Sequence, residues 1–235
     1  MSAPVPFTAV GAAFLRAAHL TEDGTPKIFQ DTLAHALVGR ELATLLADVL
    51  RQSWPPEILP VARVAMVARV AMVTRARYTE DRLLQRYHAG VEQYVILGAG
   101  LDTFGYRRPD ALGALHVFEV DHPTVQAWKR ERLRAAEINV PAAVQFAPVD
   151  FERESLQEGL ARTGFRMEAP AFVSWLGVTQ YLTSTAIHAT LDFLGSFTLG
   201  SEIVATYVVP DALRDDVDRA FAAVAAPIAM ARGEP

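Results

Sequence analysis

A glycine turn between an apolar strand and a helix is the feature that most constrains the fold of this chain. The apolar run 94–97 breaks into Gly98-Ala-Gly100, and two carboxylates, Glu119 and Asp121, follow Gly100 by 19 and 21 positions. Glycine lets the backbone turn sharply and approach a ligand that a Cβ would obstruct. Because open α/β sheets bind ligands at the carboxyl ends of their strands, the pattern predicts a nucleoside site in which either acid accepts ribose hydroxyls. A plain β–α connection is the alternative.

The residues after the turn narrow the range of possible ligands. Thr103 stands where the G-x-G-x-x-G fingerprint has its third glycine, which permits close helix packing beneath a pyrophosphate. This departure argues against NAD or FAD. Asp102 would repel a pyrophosphate but would pair with the ammonium of an amino acid moiety. The combination favours S-adenosyl-L-methionine, which carries adenosine and an ammonium but no phosphate.

Several motifs together resemble those of one known family. They lie in the segments 16–20, 28–34, 75–78, 97–107, 118–123, 129–130, 148–151 and 175–182. From about Phe14 to its end, the chain resembles the leucine carboxyl methyltransferase-like family of S-adenosyl-L-methionine-dependent O-methyltransferases. The resemblance implies a Rossmann-like class I methyltransferase sheet and transfer of a methyl group from the cofactor to an oxygen.

The resemblance also implies roles for residues outside the glycine turn. One arginine near the end of the helix that precedes the first strand would hold the cofactor's carboxylate, and the motif favours Arg75 over Arg77. A solvated surface pair is the alternative. Asp150 and Phe151 would bind the adenine, by a hydrogen bond and by ring packing, although Asp150 could instead cap a helix beginning near Glu152.

Three residues are candidates for the acceptor side of the site. A carboxylate acceptor needs no general base, whereas a phenol or alcohol does, and His19, Tyr106 and Tyr181 are the side chains that could provide one. A structural role in an amphipathic helix is the alternative for His19. A small-molecule acceptor is expected, because no charged or aromatic surface run suggests peptide docking.

The order of apolar and amphipathic segments predicts the fold class. Strands are expected near 93–98, 114–120, 142–148, 170–176 and 201–209. With helices between them they form a parallel α/β sheet in a domain at 91–235, preceded by a helical cap at 1–90. Within the cap, one helix is expected from Asp31 to Arg51, closed by the prolines at 55–56, and the repeat at 61–72 is expected to be one largely buried helix.

Composition excludes several classes of protein. A formal charge of −5 argues against nucleic acid as a partner, and the absence of cysteine excludes disulfides, thiolate metal sites and a cysteine nucleophile. No cluster of histidines and carboxylates suggests a metal. Residues 1–20 lack a signal-peptide pattern and no long apolar run suggests a membrane span, so a cytoplasmic protein without membrane contact is expected. The sequence leaves open whether the protein forms a homo-oligomer.

Two departures from the family pattern affect these expectations. Leu176 precedes Gly177 where many relatives carry a glutamate that lines the cofactor pocket. After the fifth strand and a helix expected over 211–231, the antiparallel strand pair that completes a class I sheet is expected to be absent, so that either a tail is omitted or a partner covers the edge. The alternative function is a non-catalytic or cofactor-binding-only member of the fold that acts as an assembly module. An NAD-dependent oxidoreductase is disfavoured by Thr103.

Overall fold

The structure is a computed structural model that describes residues 6–40, 44, 59–107, 113–216 and 219. The helices are α1 Phe7–Glu22, α2 Ala34–Val38, α3 Leu59–His88, α4 Phe104–Arg107, α5 Pro123–Ala135, α6 Leu156–Ala161 and α7 Ser184–Gly195. The strands are β1 Gln93–Leu97, β2 His116–Asp121, β3 Val144–Pro148, β4 Ala171–Trp175 and β5 Glu202–Ala205. Short 3-10 turns lie at Thr179–Tyr181 and Asp211–Leu213.

The five strands form one parallel sheet in the order β3-β2-β1-β4-β5. The predicted α/β class is therefore confirmed, and each predicted strand overlaps an observed one. All residues of β1 and β4 are buried, as expected for central strands covered on both faces. The chain order reverses between β1 and β4, which places the ligand-binding crevice of such a sheet at the carboxyl end of β1.

Alternating side chains of the strands feed two apolar clusters. On one face, Tyr94 and Ile96 pack with residues of α1 to α5, including Val10 and Leu83. On the other face, Val95 and Leu97 pack with α6 and with part of α7. The helices that precede β1 therefore cover the same face as α4 and α5, next to the glycine turn.

The helix predicted from Asp31 to Arg51 begins only at Ala34 and is interrupted at Gly39, beyond which Arg40 and Thr44 are again helical. Gly39 has a φ of 85°, and its N–H donates to the carbonyl oxygen of His35, which closes α2 at Val38. A Cβ at Gly39 would lie 2.0 Å from Nη2 of Arg132, whose Nε donates to the carbonyl oxygen of Leu37. Residues 41–43 and 45–58, including the proline pair, lie outside the described residues.

Two further helix predictions need correction. The repeat at 61–72 is helical within α3, but Val67 and Val70 are 38% and 46% exposed, so the prediction of a largely buried helix is wrong for its second copy. The side chains of the first copy lie outside the described residues. The helix predicted over 211–231 begins as a 3-10 turn, and most of the segment lies outside the described residues.

Neither a transmembrane helix nor a cluster of metal ligands occurs in the described ranges. None of the helices there has both the length and the hydropathy of a transmembrane span. In the same ranges, no group of three or more histidines and carboxylates is placed to hold a metal ion.

Leu83 joins α3 to the core and gives a direct test of this packing. Its side chain is fully buried, so Leu83→Ala is expected to lower the free energy of unfolding by about 2–5 kcal/mol through lost burial and a residual cavity. Leu199, which is 98% exposed, supplies the control, and Leu199→Ala should change that free energy by less than about 0.5 kcal/mol. Equal effects in urea denaturation would contradict the placement of α3.

Candidate functional site

The glycine turn forms the centre of the site at the carboxyl end of β1. Gly98 and Gly100 have φ values of 65° and 46°, a region that side chains with a Cβ rarely adopt. The N–H groups of Gly98 and Ala99 both donate to the carbonyl oxygen of Val120, which ties the turn to β2. A Cβ at Gly98 would lie 2.2 Å from Cγ2 of Val178. Gly98 is therefore required by both its conformation and its neighbour.

Asp121 lies beside this turn, as the sequence predicts. Its Oδ2 accepts a hydrogen bond of 2.5 Å from the N–H of Gly100, and its Oδ1 accepts one of 2.7 Å from the N–H of His122. Burial raises the pKa of Asp121 above its usual value, and these N–H groups and the charge of Lys129 oppose the rise only in part. The residue keeps some exposed surface, whereas Glu119 in the same strand has none.

Glu119, the other predicted ribose acid, lies in the core. Its side chain has no exposed surface, and its oxygens accept from Nζ of Lys129 at 2.6 Å and from the hydroxyl of Tyr106 at 2.9 Å. Burial raises the pKa of Glu119 while Lys129 opposes the rise, and burial together with Glu119 raises the pKa of Tyr106. Of the two acids only Asp121 faces the crevice, and the predicted substrate residue Tyr106 is held in the core.

Asp102 lies at the exit of the turn and is half-buried. Its Oδ1 accepts a hydrogen bond of 2.8 Å from the N–H of Phe104, which forms a turn at the start of the short helix α4. An ionised carboxylate has two oxygens, so this hydrogen bond leaves acceptor capacity for a cationic group in the crevice.

Arg75 approaches the same crevice from α3. A Cβ at Gly177, where φ is 69°, would lie 2.8 Å from Nη1 of Arg75, so only glycine allows this contact. Among the described residues, no hydrogen bond or ion pair engages the guanidinium of Arg75. Burial and the neighbouring charge of Arg16 lower the pKa of Arg75 to about 10, with Tyr181 acting in the opposite direction, so the group stays charged at neutral pH.

The loop after β4 links Arg75 to the glycine turn, since Gly177 contacts Arg75 and Val178 contacts Gly98. Thr206, at the end of β5, fixes this loop by accepting from the N–H of Gly177 at 2.7 Å, and its carbonyl oxygen accepts from Oγ1 of Thr179 at 3.1 Å. Thr206 was not predicted as a site residue, because nothing in the sequence around it distinguishes it from its neighbours.

Asp150 and Phe151 follow β3 on the other side of Asp121. Oδ1 of Asp150 accepts from the N–H of Glu152 at 3.1 Å, so Asp150 caps a turn and not a helix, since α6 begins at Leu156 behind a Ser155 capping box. Phe151 packs at the edge of the second apolar cluster and lines a groove of about 370 Å³ between α6 and α7.

His19 has a structural environment. It is 3% exposed, its Nδ1 lies 2.5 Å from Oδ2 of Asp23, and its Nε2 accepts from the N–H of Phe29 at 3.4 Å. Arg69 donates to the same carboxylate, which joins α1 to α3. Both ring nitrogens are engaged within the fold. The third predicted acceptor-side residue, Tyr181, lies beside Arg75.

A buried carboxylate, Asp31, joins the cap to the glycine turn. Arg16 donates from Nε to Oδ2 of Asp31 at 2.8 Å and from Nη2 to the carbonyl oxygen of Leu101 at 2.7 Å. Oδ1 of Asp31 accepts from Oγ1 of Thr103 at 2.7 Å and lies 3.4 Å from Nε of Arg107. Burial alone would raise the pKa of Asp31, but the two guanidinium groups bring it below its usual value. Thr103, which replaces the third glycine, therefore holds the cap.

Comparison with known proteins gives one consistent family. A family model described as leucine carboxyl methyltransferase matches residues 9–195. The chain is 36% identical over 191 residues to "Putative S-adenosyl-L-methionine-dependent methyltransferase YktD" of Bacillus subtilis, covering 75% of this chain and 62% of that protein. A protein of Mycobacteroides abscessus with the same designation is 34% identical over 212 residues, covering 87% of this chain and 65% of that protein. The chain thus spans less than two thirds of these two relatives.

Solved structures agree on the fold. A DUF574 family protein from Streptomyces avermitilis has a TM-score of 0.56 at 14% identity, over 97% of this chain and 76% of that one. A protein from Thermobifida fusca described as a "putative methyltransferase" has a TM-score of 0.54 at 18% identity, over 95% of this chain and 73% of that one.

Asp31→Asn tests the link between cap and turn. Because Asp31 is buried between two guanidinium groups, loss of its charge is expected to lower the free energy of unfolding by about 3–5 kcal/mol at pH 7. The folded pKa is lowered, so the stabilisation is full above the unfolded value near 4 and is lost as pH falls through the folded value. The difference between parent and variant in chemical denaturation should therefore shrink in acid.

Asp81, which forms an exposed ion pair with Arg77, is the matched control for this test. Asp81→Asn is expected to leave the denaturation midpoint almost unchanged, because exposed ion pairs contribute little. A pH-independent difference for Asp31→Asn would show that its charge does not join the cap to the turn.

Proposed function

This chain belongs to the leucine carboxyl methyltransferase family, and from that premise we propose that it is an S-adenosyl-L-methionine-dependent methyltransferase that methylates an oxygen of a small molecule. The observation that carries the proposal is the contact of Asp121 with the N–H of Gly100 at the reversal point of the sheet. A carboxylate next to a glycine turn at this edge suits a ribose, whose two hydroxyls it can accept.

The charges around the crevice fit the two ends of this cofactor. Asp121 takes the ribose, Phe151 packs on the adenine, and Asp150 accepts from the adenine amino group with the carboxylate capacity that its turn leaves free. At the other end Arg75 pairs with the cofactor's carboxylate, for which a guanidinium is suited by bidentate geometry, and Asp102 pairs with its ammonium. The Asp121 end and the Arg75 end of the crevice are connected by a continuous series of contacts, which are Gly100–Asp121, Gly98–Val178 and Gly177–Arg75.

Alignment is the main requirement of the reaction. When bound, S-adenosyl-L-methionine supplies a methyl group already activated by its sulfonium. Transfer of that methyl group to the acceptor oxygen would leave the electron pair of the broken carbon–sulfur bond on the sulfur of S-adenosylhomocysteine. The chain's residues hold the two reactants in line and exclude water, which accelerates a displacement of this kind without an acid or base.

The surroundings of the candidate bases favour a carboxylate acceptor over a hydroxyl. The hydroxyl of Tyr106 donates to Glu119, and both ring nitrogens of His19 are engaged, so neither is placed to remove a proton from an acceptor. A carboxylate is already ionised at neutral pH and needs no base. Tyr181, which lies beside Arg75, is the predicted residue to be tested as a base for a hydroxyl acceptor.

Binding of S-adenosylhomocysteine by calorimetry tests the cofactor site. We expect Arg75→Met and Asp121→Asn each to raise the Kd by about tenfold or more, because each removes a charged hydrogen-bonding partner worth about 1.4 kcal/mol or more. Arg77→Met is the matched control: Arg77 lies two positions along the same helix, is exposed, and pairs with Asp81. The Kd of this control should equal that of the parent. Absence of binding to the parent would instead support a non-catalytic assembly module.

Tyr181→Phe tests the class of acceptor. A panel of carboxylic acids and phenols is incubated with S-adenosyl-L-methionine, and release of S-adenosylhomocysteine is measured for the parent and the variant. With a carboxylate acceptor, kcat should change by less than about threefold, whereas loss of a general base would lower kcat by about 100-fold to 10,000-fold. A loss of that size on a hydroxyl substrate, with cofactor binding unchanged, would overturn the preference for a carboxylate.

A further inference from the structure

A buried ion pair lies directly beneath the edge that carries Asp121. Lys129, one of only two lysines in the chain, is 1% exposed on α5, and its Nζ lies 2.6 Å from Oε2 of the fully buried Glu119. A buried ion pair is costly to desolvate, and apolar side chains of similar volume would stabilise a fold as well or better. Its position next to the cofactor edge therefore calls for a role beyond stability.

Three elements of the site meet at Glu119. The hydroxyl of Tyr106, on the short helix that follows the glycine turn, donates to Oε1 of Glu119 at 2.9 Å. Nε2 of Gln126, on α5, donates to the backbone carbonyl oxygen of Glu119 at 2.6 Å. The Nζ of Lys129 lies 5.3 Å from the centre of the Tyr106 ring, which places a cation against the ring face. Glu119 and Lys129 thus hold the glycine-turn helix, β2 and α5 in a fixed relation.

The same ammonium acts on Asp121. Glu119 and Asp121 are two positions apart in β2, so their side chains leave the strand on the same face, the face that α5 covers. Burial raises the pKa of Asp121, and the charge of Lys129 is among the influences that oppose the rise. A carboxylate accepts from both ribose hydroxyls only when it is ionised.

We propose that Lys129 is a positioning residue for the cofactor: through Glu119 it fixes the glycine turn against β2, and it places a positive charge on the strand face from which Asp121 reaches the ribose hydroxyls. This inference rests on the function proposed above. Lys129 does not touch the cofactor, because Glu119 and Tyr106 enclose it.

The test measures the Kd of S-adenosylhomocysteine by calorimetry from pH 5 to pH 9 for the parent and for Lys129→Gln. Without the ammonium, Asp121 takes up a proton at higher pH, so the acid limb of the titration, where affinity falls as the pH is lowered, should move upward by about one pH unit. A purely structural role for Lys129 would raise the Kd equally at every pH, and an unchanged acid limb would overturn the proposal.

Other charged groups lie near Asp121, and the binding titration needs controls for their effect on its pH dependence. His122 is adjacent to Asp121, its Nε2 lies 3.7 Å from Oδ2 of Asp150, and Arg153 approaches Asp150 in turn. All variants are therefore compared in a His122→Asn background, since asparagine retains the helix-capping role that His122 plays for Thr124. Arg134→Gln removes one positive charge from the exposed face of the same helix and should leave the acid limb where it is.

Glu119→Gln gives a second measurement that does not depend on how well Lys129→Gln folds. It removes a negative charge near Asp121 and leaves the ammonium of Lys129, so the acid limb should move downward or stay in place. An upward shift in Glu119→Gln would overturn the proposal. Failure of the parent to bind S-adenosylhomocysteine at any pH would be a failure of the proposed function, and it is distinguished from these outcomes by the parent titration alone.

Discussion

The structure depends on the buried carboxylate of Asp31 and its two guanidinium partners. Arg16 belongs to α1, Arg107 to the helix after the glycine turn, and Asp31 to the connection between α1 and α2. A charge in the core is tolerated only when it is paired and hydrogen-bonded, so these elements must assemble together or not at all. Arg16 also holds the carbonyl oxygen of Leu101, which orients the backbone that leaves the glycine turn. The contacts of Asp31 and Arg16 therefore determine both how the cap packs and how the backbone leaves the glycine turn.

The position of the glycine turn at the carboxyl end of β1 is fixed because its neighbours leave no free volume around it. Gly98 is held against Val178 and Gly100 against Ala9, so the turn is enclosed between the loop after β4 and the first helix. Asp121, at the end of β2, also holds the turn by accepting a hydrogen bond from the N–H of Gly100. Displacement of any one of these neighbours would change the distance between Asp121 and Arg75, the two groups proposed to bind opposite ends of one ligand.

The sequence predicted the sheet well and the site in part. Apolar runs and the glycine turn are local signals, which is why the five strands and the position of Asp121 could be located. Glu119 and Asp121 share a strand face, and only the return of Lys129 on the following helix decides which of them is buried. The partners of Asp31 lie 15 and 72 positions away at Arg16 and Thr103, a separation that no local pattern reveals. The exposure of Val67 and Val70 was missed because an apolar composition does not say whether a helix has a covering neighbour.

The distribution of charge argues for a ligand with separated charges of its own. Asp31, Glu119 and Lys129, the fully buried ionisable groups around the crevice, are each neutralised by a partner within the fold. Arg75 and Asp121 are different, because the described residues offer Arg75 no counter-ion and offer Asp121 only backbone donors at contact distance. A pyrophosphate would bring two negative charges next to Asp102 and Asp121, which neither acid could tolerate at close range. A ligand with hydroxyls at one end and an amino acid group at the other satisfies both residues at once, and the fold leaves them unneutralised at the edge where such a ligand would bind.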